Sequence, residues 1–171
     1  MEGERMADGT LLNLSHRQGA KLLEEAVSLL HQGLLKPAKN KLELALRWQP
    51  SAEAYTHLAW VLSFEHKYQD AIALCEKAVE LDCEFGNAYN DIGMYYMKLG
   101  DLDAAEPWLE KAKKAARYDK RQTPYLNMGR IFLSRCQFSE ALAEFEEALK
   151  YEPENIELRT VVERIRLKHP R

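Results

Sequence analysis

The chain has 171 residues, 46% of them hydrophobic and 30% charged, with a formal net charge of −3. That length supports one sizeable core and is short for two ordinary domains with a linker, and the composition excludes a disordered chain. The slight acidity excludes a global attraction to nucleic acid or to an anionic membrane.

Eight glycines and six prolines are too few turn residues for an all-β chain. No apolar run approaches the roughly 18 residues of a spanning helix, so no membrane insertion is expected. The start, Met1 to Thr10, is polar and acidic, which fits neither a secretory signal nor a transit peptide. Cys75, Cys83 and Cys136 are an odd count without a CxxC pair. They read as free thiols of a reducing, cytoplasmic compartment.

Residues 1–14 are expected to be a flexible N-terminal segment from which Leu11, Leu12 and Leu14 can dock. From there an internal repeat organises the chain. Small residues recur in three parallel series: Ala26, Ala59, Gly93, Gly129; Ala38, Ala71, Ala105, Ala141; Ala45, Ala78, Ala112, Ala148. Each series steps by 33, 34 and 36 residues. The first unit (15–51) opens on a candidate capping box, Ser15 with Gln18, and has Gly33 in its turn and Pro37 early in its second helix. In the second unit (52–85), Tyr55, Leu58, Ala59 and Leu62 recur at i, i+3, i+4 and i+7, one apolar stripe on a helix. Ala71, Leu74, Cys75, Ala78 and Val79 make a second stripe. The third unit (86–119) turns at Gly100. Asp103 with Glu106 reads as a capping box, which would put Pro107 in the first helical turn. A loop from Tyr118 to Pro124 carries two extra residues before the fourth unit (122–155). Leu158, Val161, Val162 and Ile165 then form an amphipathic helix within 156–171, read as a cap over the last pair. Each unit is thus a helix, a tight turn and an antiparallel helix, with small residues where the two cross closely.

Tyr55-x-x-Leu58-Ala59 followed by Ala71, Ala78 and Leu81-Asp82 resembles the tetratricopeptide repeat. So does Tyr89-Asn90-Asp91-Ile92-Gly93 followed by Gly100-Asp101-Leu102, Ala105 and Ala112. The resemblance covers residues 19 to 155. Glu25, Cys83 and Arg117 depart from it: the first stands where an apolar residue is usual, the others where a terminal proline is. It implies an all-α fold, a right-handed superhelical solenoid of four antiparallel helix pairs, whose first helices line a concave groove that binds another protein.

Residues on those first helices and off the core stripe are the candidate groove lining: Thr56, Trp60 and Phe64; Asn87, Asn90, Met94, Met97 and Lys98; Asn127 and Arg130. Apolar side chains outside a packing stripe have a reason to be there, and Trp is enriched among binding hot spots. Asn presents paired donors and acceptors to a peptide main chain, and Arg130 suits a carboxylate. Packing of Trp60 under a neighbouring segment is the competing reading. Lys111, Lys113, Lys114, Arg117, Lys120 and Arg121 form a basic cluster, read either as a solvated face or as a second docking surface. Leu23, Val27 and Leu30 leave an apolar face on the first helix that the N-terminal leucines or a second subunit would cover, so a homodimer is a candidate state.

No HExxH, CxxC, phosphate loop or metal-ligand cluster occurs, so the chain reads as a non-enzyme without cofactor or metal. The leading function is an adaptor or scaffold that holds a partner peptide or helix in the groove. The alternatives are a secretion-type or assembly chaperone, and a type IV pilus assembly factor. The last reading rests on the long loop before Pro124, and is weakened because no cysteine precedes Cys75 to carry a lipid.

Overall fold

Apolar residues at helical spacing produce nine helices and no strand among the described residues. They are α1 (Glu2–His31), α2 (Leu35–Trp48), α3 (Ala52–Phe64), α4 (Tyr68–Leu81), α5 (Gly86–Leu99), α6 (Leu102–Lys114), α7 (Gln122–Ser134), α8 (Phe138–Tyr151) and α9 (Ile156–Lys168). The computed structural model describes the backbone of residues 2–169 and the side chains of residues 13–169. Two larger compact units, each of two repeats and called the first and second unit from here on, divide the chain: Met1–Asp82 with α1 to α4 and Cys83–Arg171 with α5 to α9.

Four turns are built alike. Gly33, His66, Gly100 and Cys136 all have positive φ, between 58° and 83°. At each, the N–H of that residue bonds the carbonyl three residues back and the next N–H bonds the carbonyl five back: Gly100 to Met97 and Asp101 to Tyr96, Cys136 to Leu133 and Gln137 to Phe132. This is a Schellman end to α1, α3, α5 and α7, which satisfies orphan carbonyls and reverses the chain within three residues. Glycine enters the left-handed region freely. His66 and Cys136 hold it because the same reversal is needed there.

The three series of small residues lie at the helix crossings. Ala26, Ala38, Ala59, Ala71, Ala105, Ala141 and Ala148 are fully buried. At Gly93 and Gly129 even a methyl is excluded: a Cβ would come within 2.6 Å of Leu109 Cδ2 and 2.4 Å of Phe145 Cε1. In the first unit Ala26, Leu30, Ala38, Leu42, Leu58 and Val61 form one core. In the second, Ala105, Leu109, Met128 and Ile131 form another, and Leu158, Val162 and Ile165 of α9 close over Ala141, Leu142, Phe145 and Ala148 of α8. Asn155 caps α9 by accepting from the Leu158 N–H.

Three local expectations are corrected. The backbone of α1 starts at Glu2, so Ser15 and Gln18 fall inside a helix and have no start to cap; no proline precedes them to break it. The side chains of Leu11 and Leu12 lie outside the described residues, while Leu14 is exposed. The cap of α6 is Asp101, which accepts from the Ala104 N–H, not Asp103, because the turn at Gly100 delivers the chain one residue later into the helix. Pro107 therefore sits in the second turn of α6, where its missing N–H leaves the carbonyl of exposed Asp103 without its helical donor.

The segment that leads into the long loop, Ala116 to Tyr118, forms a clamp on the start of α5. Gly86 donates to the Arg117 carbonyl and Arg117 to that of Glu84, both at 3.0 Å, and Ala116 donates to the Glu84 carboxylate. The Arg117 guanidinium stands 4.5 Å over the Phe85 ring. Tyr118 is buried, and a Cβ on Gly86 would collide with its Cβ at 2.4 Å.

Candidate interaction surfaces

In the first unit α3 presents two large apolar side chains to solvent. Trp60 is 36% exposed and Phe64 53%, with ring centroids 4.6 Å apart at 83°, an edge-to-face pair one helical turn apart. Ser63 cannot extend this surface, because its hydroxyl donates to the Trp60 carbonyl. Thr56 does not belong to it either. Thr56 is buried, and its hydroxyl donates back to the Ala52 and Glu53 carbonyls, the usual fate of a threonine inside a helix.

The apolar face expected at Leu23, Val27 and Leu30 is largely internal. Leu30 is buried and Leu23 packs on the core with Ala26, because the stripe of α1 turns toward α2 and α3. Val27 is half-buried. Glu25, the departure from the apolar pattern, accepts from Lys41 at 2.6 Å. That contact, ahead of its partial desolvation, holds the Glu25 carboxyl below its ordinary value.

In the second unit α5 and α7 bring together Asn90, Asn127 and Arg130. Arg130 Nη1 donates to Asn127 Oδ1 at 3.1 Å. Asn127 Nδ2 donates to Asn90 Oδ1 at 3.0 Å, and Asn90 Nδ2 to Asp91 Oδ1 at 3.5 Å. The two amides are almost covered, at 6% and 4% exposure, whereas Arg130 is exposed. Burial pushes the Asp91 carboxyl up to about 7, against the opposing pull of the Asn90 amide and the Lys120 charge. The sequence reading passed over Asp91. A signal for it existed: His57, Asp91 and Asn127 are spaced by the repeat steps of 34 and 36 residues, a polar position recurring beside apolar ones.

The other α5 candidates divide. Lys98 is exposed, and Asn87 and Met94 are half-buried. Met97 packs on the core of Ala105, Leu109, Met128 and Ile131 and is only partly available.

The basic cluster is not one patch. Lys113 is inward, its side chain 9% exposed, paired with Glu110 at 2.6 Å and Glu144 at 2.8 Å and 4.9 Å from the Tyr125 ring centroid. Lys111 lies 4.3 Å over Trp108. Arg121 donates to the Ala116 carbonyl. Lys114 and Lys120 are the exposed members with Lys111 and Arg117. Around the loop, Arg117, Tyr118, Asp119, Arg121, Gln122 and Tyr151 line a hollow of about 480 Å³ that mixes both signs of charge. A second ionic group was not foreseen: Arg135 reaches Glu106 and Asp103 on α6. Among the described residues no cluster of three His, Cys, Asp or Glu side chains could hold a metal ion, and no helix is long and apolar enough to cross a membrane.

Repeated helix pairs, Schellman reversals at one register and an alanine or glycine at every crossing define a helical-repeat interaction scaffold. The chain belongs to the tetratricopeptide repeat family, whose models match residues 52–82 and 84–151. Proteins of this family bind other proteins or peptides. The chain is 28% identical over 96 residues to the BBSome complex member BBS4 of Bos taurus, a match that takes in 56% of this chain and 18% of that protein. It is 27% identical over 145 residues to ETO1-like protein 2 of Arabidopsis thaliana, covering 81% of this chain and 15% of that one. The chain therefore spans under a fifth of the length of each. Its fold is similar to that of pilF of Pseudomonas aeruginosa, with a TM-score of 0.83, 22% identity, and coverage of 90% of this chain and 70% of that one.

Proposed function

We propose that the chain is an adaptor that holds an extended, acidic segment of a partner protein on the first helices of its repeats. The observation that carries this is the anchored guanidinium of Arg130. One of its N–H groups is bound by Asn127, so the fork is held in place while its remaining donors face solvent. A pre-positioned guanidinium favours a carboxylate in bidentate geometry. The exposed Trp60–Phe64 pair of α3 offers an apolar anchor in the first unit.

A chaperone reading draws on the same apolar pair, since an exposed aromatic patch also suits unfolded clients. It predicts suppression of client aggregation that Trp60→Ala removes and Arg130→Ala leaves. A pilus-assembly role draws only on the fold shared with pilF and on the long loop, and predicts a pilus defect on deletion.

The test is partner capture from source-cell lysate with wild type, Trp60→Ala, and Asn90→Ala with Arg130→Ala, each checked by circular dichroism. The adaptor reading expects one protein enriched by wild type and lost with the Asn90/Arg130 variant. Retention of the same partners by both variants sinks it.

A further inference from the structure

We propose that Asp91 is a positioning residue: as the acceptor end of a one-way hydrogen-bond chain, it fixes which way the Asn90 and Asn127 amides face, and through them the Arg130 guanidinium. The biological consequence rests on the α5–α7 face being the docking surface; the test below does not.

The two ends of the chain impose its direction. A guanidinium has donors and no acceptor, and an ionised carboxylate has acceptors and no donor. Two amides lie between them, and each must accept on the Arg130 side and donate on the Asp91 side. The structure has that arrangement: Arg130 to Asn127, Asn127 to Asn90, Asn90 to Asp91. Turning either amide over would set N–H against the guanidinium or oxygen against oxygen inside an almost covered site.

Protonation of Asp91 removes one of those constraints. A neutral carboxyl gains an O–H that can donate to Asn90 Oδ1, which then competes with Asn127 for the Asn90 oxygen. The charges and dipoles around Asp91 come from three elements. Asn90 donates from its own helix, Arg130 acts from α7 through the amide pair, and Lys120 and Tyr118 approach from the loop after α6. Desolvation is the largest influence and pushes the carboxyl up, with Asn90 and Lys120 opposing it, so that the change of state falls near neutrality at about 7. Above that value the chain is locked and Arg130 is held for a partner carboxylate. Below it the chain is fixed from the Arg130 end alone, and the support behind the Asn127 amide loosens.

Side-chain ¹H–¹⁵N spectra of the labelled chain, followed from about pH 5.5 to about 8.5, read the relay directly in the range where a perturbed carboxyl titrates. In wild type the Asn90 and Asn127 amide resonances and the Arg130 Nε–H should move together with one midpoint near neutrality. In Asp91→Asn they should stay flat. In Asn127→Ala, Asn90 should still titrate and Arg130 should not. Flat amide resonances in wild type, an unchanged titration in Asp91→Asn, or an Arg130 response that survives Asn127→Ala each overturn the proposal. Because no partner is present, a misassigned docking surface leaves the titration intact, and a flat titration leaves the docking reading untouched.

Discussion

The left-handed residue that ends α1, α3, α5 and α7 is glycine twice and a side-chain-bearing residue twice, which sets up a controlled exchange. Cys136 has φ of +58° and is exposed, so Cys136→Gly changes little except the backbone. A non-glycine residue in the left-handed region costs about 1–2 kcal/mol, and a new glycine gives back about 0.5–1 kcal/mol through the freedom of the unfolded chain. The net expectation is a gain of about 0.5–1 kcal/mol. The reverse change, Gly100→Ala, meets no neighbour within 4 Å, so sterics of the surroundings do not contribute. Its cost is therefore conformational and should be about 1 kcal/mol. Urea unfolding followed by circular dichroism measures both. With a slope of about 2 kcal/mol per molar, the midpoint should rise by about 0.2–0.5 M for Cys136→Gly and fall by a similar amount for Gly100→Ala. A lower midpoint for Cys136→Gly, or an unchanged one for Gly100→Ala, refutes the claim that the turn demands this conformation. His66→Gly is a poorer probe, because it also removes the 3.0 Å contact of His66 with the Tyr68 hydroxyl.

Two adjacent-looking lysines should behave differently in the same unfolding assay. Lys113→Ala strands half-buried Glu144 and should cost about 1–3 kcal/mol, whereas Lys114→Ala should stay within about 0.5 kcal/mol. Gly129→Ala forces a methyl against Phe145 and should lower stability by about 1–3 kcal/mol despite alanine's higher helix propensity, read as a shift in thermal midpoint. Asp91 carries a pH signature. Its folded value, about 7, lies above that of an unfolded carboxylate, so its contribution is fully present below the unfolded value. That contribution is lost as pH rises toward 7, on the order of 4 kcal/mol in all. Asp91→Asn should flatten that decline in urea midpoints measured across the range, and an equally steep decline in the variant would assign it to other groups.

Much of the fold could be read from the chain because the repeat is a packing requirement. An alanine or glycine at every crossing and an apolar stripe at helical spacing leave few other ways to bury Leu42, Leu58, Ile92 or Leu109. Boundaries were harder: the N-terminus of α1 and the cap of α6 depend on which of several polar residues meets the first free N–H, and Asp101 and Asp103 look alike in sequence. The surfaces were less legible still. Thr56 and Trp60 stand one turn apart on α3 and both read as groove-facing, yet one hydroxyl is spent on its own backbone. Lys113 looks like a charged surface residue among others. Its direction is set by Glu144, 31 residues later, a partnership that no local pattern reveals.

The polar chain of α5 and α7 stands apart from the frame that carries it. The helix pairs need an apolar stripe, a small residue at each crossing and a left-handed turn, and none of these requires an amide or a carboxylate beside Gly93 or Gly129. Covering Asn90, Asn127 and Asp91 costs desolvation that leucine at the same positions would not incur. Their hydrogen bonds return part of that cost and leave Arg130, an exposed cation, tied in one orientation. A scaffold that only had to stand would gain by replacing the four with apolar and freely moving residues. Departures of this kind from local consistency mark places where something besides folding is served. The Trp60–Phe64 pair is the apolar counterpart on α3: two large rings, one turn apart, each with a substantial part of its surface left in solvent. That is the physical ground on which we propose both faces for recognition, one by fixed polarity and one by exposed area.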